Sequence, residues 1–146
     1  MPQYDWMKIL VIEDDKHTRA LIVRMLRMIG VRSIAEAEDG KTGYGELLRT
    51  RPHLVFCDVN MEPFDGREFL RRVRKTTLPG IADTPVVFLT GDAQQATVLF
   101  AKEHGVLGYL VKPVSLNDLK GRIDAVAAQK PAGVGAMESG QPAAEG

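Results

Sequence analysis

The stretch HLVFCDVNMEPFDG, residues 53–66, decides how the rest of the chain is read. An unbroken apolar run over 54–57 stops at Asp58. Pro63 and Gly66 then punctuate a loop before helical periodicity resumes at Arg67. A short apolar run closed by turn residues, with no polar alternation, is the pattern of a strand buried on both faces of a parallel sheet. Asp58 is therefore expected at the carboxyl end of such a strand, the edge where open α/β sheets place their ligands. A carboxylate there is too costly to bury alone and needs a cation, a proton or solvent.

The same pattern recurs on either side. Residues 8–12 (KILVI) read as a first buried strand running into Glu13, Asp14 and Asp15. Leu21, Ile22, Met25, Leu26, Met28 and Ile29 follow at helical spacing, and Gly30 ends that helix. Residues 31–37 form a second, less apolar strand, as an edge strand would be. A helix over 41–50 comes next, expected to be short or frayed because Gly43 and Gly45 each cost about 1 kcal/mol relative to alanine. A helix over 67–75 follows the central loop. The fourth strand, 86–89, ends in Thr90, and a helix is expected over 93–104 with Gly105 as its stop. The fifth strand, 107–111, ends in Lys112-Pro113. Ser115 and Asp118 then open the last helix with a capping box. Five β-then-α units imply a parallel sheet with helices on both faces. After about Gln129 the chain turns rich in Gly, Ala and Pro without periodicity, so 130–146 is expected to be a disordered tail.

Composition removes several classes of function. The 146 residues suit one domain, and Lys plus Arg equals Asp plus Glu at 19 each. A neutral chain does not bind nucleic acid through bulk positive charge, so no nucleic-acid partner is expected. Arg67, Arg71, Arg72, Arg74 and Lys75 cluster on one helix and read as a solvated face, with Leu70 and Val73 turned inward. Cys57 lies within the apolar run and reads as a small buried hydrophobe. His17, His53 and His104 lack metal-ligand spacing. No signal peptide or membrane-length apolar stretch is visible, so a soluble, cytoplasmic chain with no membrane partner is expected.

Four strands thus end in polar groups: Glu13-Asp14-Asp15, Asp58, Thr90 and Lys112. At one edge of a parallel sheet these become neighbours. Glu13, Asp14 and Asp58 bring three negative charges together, and Lys112 supplies one positive charge. All-oxygen ligands without His or Cys favour magnesium. With magnesium and Lys112 neutralising phosphoryl oxygens, Asp58 is placed to attack phosphorus as a nucleophile. Thr90 would donate to a phosphoryl oxygen, and Gly91 leaves room. Phosphorylating Asp58 replaces a charge near −1 with roughly −2, enough to drive a switch.

These residues resemble the receiver domain of bacterial two-component response regulators, in particular the single-domain chemotaxis type. The resemblance makes 6–129 the receiver domain, with a flavodoxin-like sheet of order 2-1-3-4-5. It implies that Asp58 takes its phosphoryl group from a histidine kinase or histidine phosphotransfer protein. It also implies magnesium ligation by Asp14, Asp58 and the backbone carbonyl of Asn60, with Glu13 acting through water. Thr90 and Tyr109 match the family's switch pair, and Lys112-Pro113 its cis peptide; Asn60 and Asp92 flank the route of attacking water. Such a domain is not an enzyme beyond its own phosphorylation and dephosphorylation. No output domain is expected beyond the receiver, so output is expected through a protein bound at the fourth helix, fifth strand and fifth helix.

Two departures stand out: Gly43 replaces the usual alanine, and Glu62-Pro63 shifts the usual proline by one place. Rival readings are a magnesium-dependent phosphatase with an aspartyl nucleophile, a nucleotide-binding module, and a receiver that never takes phosphate. The phosphatase of the haloacid-dehalogenase type needs a second aspartate where this chain has Asn60, and the Gly43-x-Gly45 pair lacks the third glycine of a nucleotide fingerprint. A phosphorelay intermediate or phosphate sink is compatible with the same residues.

Overall fold

The computed structural model describes residues 3–92, 98, 100, 102 and 104–129. The elements run β1 (Lys8–Ile12), α1 (Lys16–Ile29), β2 (Ser33–Ala37), α2 (Gly40–Thr50), β3 (Leu54–Asp58), α3 (Gly66–Lys75), β4 (Val86–Thr90), β5 (Gly108–Val111) and α4 (Leu116–Ala128). Here α4 is the helix counted fifth from the sequence. Most of the helix expected over 93–104, and all of the tail expected over 130–146, lie outside the described residues.

All five strands are parallel, in the order β2-β1-β3-β4-β5. The central strands are unbroken apolar runs because each feeds two cores at once. Ile9, Val11, Leu54, Phe56, Val87 and Leu89 point to one face, where Ile22 and Leu26 of α1 meet Leu119 and Ile123 of α4. Leu10, Ile12, Val55, Cys57, Val86 and Phe88 point to the other, against Leu47 of α2 and Phe69, Leu70 and Val73 of α3. Alternation along a strand is what splits one run between two faces. Cys57 is buried among the second set, as a small hydrophobe should be.

Helix ends carry the caps that their sequences announce. Asp15, Asp39 and Asp65 accept backbone N–H groups from Thr18, Thr42 and Glu68, respectively. Ser115 and Asp118 close a reciprocal capping box at 3.0 Å in each direction. Gly30 ends α1 at φ 117°, the left-handed conformation that glycine adopts without penalty.

Three expectations need correction. β2 begins at Ser33, because Val31 N–H bonds the Leu26 carbonyl at 3.0 Å and its side chain closes the end of α1. The helix α2 is neither short nor frayed but runs 11 residues. A Cβ at Gly43 would lie 2.5 Å from Ile12 Cδ1, so the missing side chain is filled by the neighbouring strand, and packing offsets the poor helix propensity. The third concerns the basic face of α3. Arg71 and Arg72 do share Glu68 at the surface, but Arg74 turns inward and donates to four backbone carbonyls.

Candidate functional site

Strand register alone brings the polar residues to one rim. Ile12 pairs with Cys57, Asp58 with Leu89 and Thr90 with Val111, so Glu13, Asp58, Thr90 and Lys112 emerge side by side from the carboxyl edge. Glu13 and Asp58 are almost fully buried, while Asp14 is exposed at the mouth. One oxygen from each of the three carboxylates lies within 4.8 Å of the others. Lys112 Nζ reaches across the rim to Glu13 Oε1 at 3.2 Å and to Asp58 Oδ1 at 3.3 Å.

Backbone contacts hold the acids in place. The Asp15 N–H donates to Glu13 Oε2 at 3.1 Å, and the Asn60 N–H reaches Asp58 Oδ1 at 3.4 Å. The Lys112 N–H bonds the Thr90 carbonyl at 2.7 Å, which continues the ladder one residue past β5 and aims the lysine inward. Lys112-Pro113 is a cis peptide, as the resemblance implied, and so is Glu62-Pro63.

The electrostatics follow from three carboxylates facing one ammonium. Burial pushes Glu13 up to about 7, against the Asp15 N–H that stabilises its charge, and Asp58 nearby adds to the rise. Burial likewise raises Asp58; Lys112 opposes it and Asp14 reinforces it. Burial works against the Lys112 ammonium as well, yet Asp58 and Glu13 outweigh it and hold its pKa above the ordinary lysine value. Native protein without metal therefore binds more protons at this site than the unfolded chain does. The site's contribution to stability must then fall as pH rises from about 5 through about 7, the reverse of the usual salt-bridged carboxylate. His53, whose pKa burial lowers, opposes this in part. Urea midpoints of metal-free protein at about pH 5 and about pH 8 check this, with the lower pH expected to give the higher midpoint.

The residues fit a hard divalent cation. The donors are all oxygen, two are buried, and one lysine leaves them with surplus negative charge.

Thr90 is buried on the adjacent strand, its hydroxyl donating to the Asp92 carbonyl at 2.6 Å and accepting the Asp92 N–H at 3.1 Å. Tyr109, opposite Phe88 in the register, is half-buried against the α2/α3 side of the core. Asp15 stands apart from the acidic group as the cap of α1. Two contributors escaped the sequence reading. Arg19 donates to the Glu13 carbonyl at 2.7 Å and pairs with Glu36 at 3.2 Å, anchoring the end of β1. Gly66 packs so tightly that a Cβ would lie 2.4 Å from the Asp58 carbonyl oxygen. Its place at the end of the loop was legible, but the close approach was not.

A doubly wound sheet in the order 2-1-3-4-5, with carboxylates and a lysine at its carboxyl rim, defines a CheY-like flavodoxin fold. The chain belongs to the response regulator receiver domain family, whose model matches residues 9–124. It is 33% identical over 120 residues to the chemotaxis protein CheY of Pseudomonas aeruginosa, covering 82% of this chain and 95% of that protein. It is 31% identical over 120 residues to the chemotaxis protein CheY-3 of Vibrio cholerae, covering 82% and 91%. Among solved structures, Vibrio cholerae chemotaxis protein CheY4 superposes with a TM-score of 0.75 at 27% identity, covering 82% of this chain and 98% of that one. The chain is thus a receiver of the CheY type, a component of two-component phosphorelay signalling. Among the described residues, no helix is long and apolar enough to cross a membrane.

Proposed function

We propose that residues 6–129 form a receiver in which Asp58 accepts a phosphoryl group from a phosphohistidine, donated by a histidine kinase or histidine phosphotransfer protein. The observation that carries this reading is the approach of Lys112 Nζ to within 3.3 Å of a buried Asp58 carboxylate inside a three-carboxylate cluster. An Asp58 oxygen forms the new O–P bond as the P–N bond of the donor breaks, and the leaving imidazole takes a proton. Lys112 holds positive charge beside the oxygens of the transferred group. Thr90 exchanges its bond to Asp92 for one to the phosphoryl group, and Tyr109 follows it inward.

Magnesium would be held by Asp14, Asp58 and the Asn60 backbone carbonyl, with Glu13 acting through water. When bound it would supply the remaining positive charge that the carboxylates and the transferred group require. The downstream protein would bind at β5 and α4, where Val111 and Leu116 are exposed; the fourth helix of the sequence reading, also expected to take part, lies mostly outside the described residues. The receiver would work in the cytoplasm without nucleic acid or membrane.

Acetyl phosphate with magnesium chloride tests the proposal. Wild type is expected to gain one phosphoryl group by mass spectrometry, and Asp58→Asn none. Stable labelling of the Asp58→Asn protein at another residue would refute the assignment. Sustained turnover of small phosphate esters would point to the phosphatase instead.

A further inference from the structure

The loop that follows Asp58 is fixed at both ends and along its outer side. Its ends meet where the Gly66 N–H donates to the Val59 carbonyl at 2.9 Å. Its outer side is pinned by Phe64. The Gly40 N–H, in the first turn of α2, donates to the Phe64 carbonyl at 3.2 Å. A Cβ at Gly40 would lie 2.3 Å from Phe64 Cδ1 and 2.6 Å from Phe64 O. The ring also carries the Arg72 guanidinium, 4.7 Å from the ring centroid. Arg72 is itself held by Glu68 at 2.8 Å, and the Glu68 N–H by the capping Asp65 at 2.9 Å.

Gly40 does not owe its glycine to backbone conformation, since it has no left-handed φ. Glycine is also a poor opening residue for a helix. What excludes a side chain there is Phe64, and Phe64 belongs to the loop that sets Asn60 against Asp58. The Asn60 N–H lies at the outer limit of hydrogen bonding to Asp58 Oδ1, at 3.4 Å, so a shift of a few tenths of an ångström would break that bond.

We infer that Gly40 and Phe64 are positioning residues for the phosphoacceptor: their contact sets the loop so that the Asn60 main chain faces Asp58, and α2 thereby tunes how tightly the site holds magnesium. This rests on the function proposed above. Groups that orient ligands from behind typically change metal affinity 10- to 100-fold when replaced. A rigid stop at Gly40 is the kind of support such a ligand set needs.

The test uses the full chain as wild type, Gly40→Ala and the milder Phe64→Leu, which keeps an apolar side chain should Gly40→Ala fail to fold. Calorimetric titration with magnesium chloride is expected to give a dissociation constant about tenfold weaker in each variant. The Asn60 amide resonance of the metal-free protein is expected to move, and labelling by acetyl phosphate at saturating magnesium to slow. A variant with a lowered urea midpoint but wild-type magnesium affinity and Asn60 amide shift would reduce the contact to packing and overturn the inference. If wild type itself bound no magnesium and took no phosphoryl group, the proposed function would fail first, and this inference with it.

Discussion

Arg74→Ala is expected to lower stability by about 3 kcal/mol, far more than removal of any other arginine on α3. The Arg74 guanidinium donates through Nε to the His104 carbonyl at 2.9 Å and through Nη2 to that of Gly105 at 3.2 Å. Through Nη1 it bonds the carbonyls of Ala82 and Thr84 at 2.9 and 2.8 Å. One side chain therefore joins α3 to the connection before β4 and to the turn before β5. Burial pulls its pKa down and Asp83 partly restores it. Among the described residues no carboxylate lies within ion-pair distance of it, so its charge is stabilised by carbonyl dipoles. Truncation leaves several half-buried carbonyls without donors, the costly direction of the hydrogen-bond asymmetry. Lysine cannot substitute, because an ammonium lacks the planar fork needed to span three segments. Urea unfolding checks this through a lowered midpoint at unchanged slope. Arg72→Ala, which removes an exposed ion pair with Glu68 and the cation–π contact with Phe64, should cost about 1 kcal/mol. Equal losses in the two variants would mean that the inward arginine is no more structural than the outward one.

Lys112→Ala is expected to act on both stability and chemistry, and to do so in a pH-dependent way. Removing the ammonium strands Glu13 and Asp58 as buried carboxylates, and breaking one side of such a pair typically costs about 3–5 kcal/mol. Both acids already have raised pKa values, and without Lys112 they rise further. The loss should therefore be greatest at about pH 8 and shrink towards about pH 5, where protonation relieves the buried charge. Labelling by acetyl phosphate at saturating magnesium should slow by about a hundredfold, the usual penalty for deleting one preorganised group facing developing negative charge. A loss of stability independent of pH would show that the lysine serves only to fill space.

The glycines show why part of the fold was hidden. Gly43 and Gly45 look alike in sequence and both argue against a long α2. In the fold, Ile12 packs where a Gly43 side chain would be, whereas nothing lies within 4 Å of a Cβ at Gly45. Helix propensity is local, but the packing that overrides it belongs to a strand about thirty residues away. The arginines of α3 make the same point, because periodicity places residues on a helix face without saying what a neighbouring loop brings to it. Arg74 reads as solvated until the turn at His104 and Gly105 folds over it.

The chain's own pattern of apolar runs, each ended by a polar residue, was enough to determine a parallel α/β sheet and to nominate Glu13, Asp14, Asp58, Thr90 and Lys112. That signal is strong because burial on both faces forbids polar residues inside a strand and pushes chemistry to its end. What tertiary structure alone decided is how those ends meet: the reach of Lys112 to two carboxylates, the anchoring of Glu13 by Arg19, the inward turn of Arg74, and the exclusion of side chains at Gly40 and Gly66. Each depends on side chains and backbone brought together from distant segments. Distances of that kind are set by packing, which no local sequence pattern encodes.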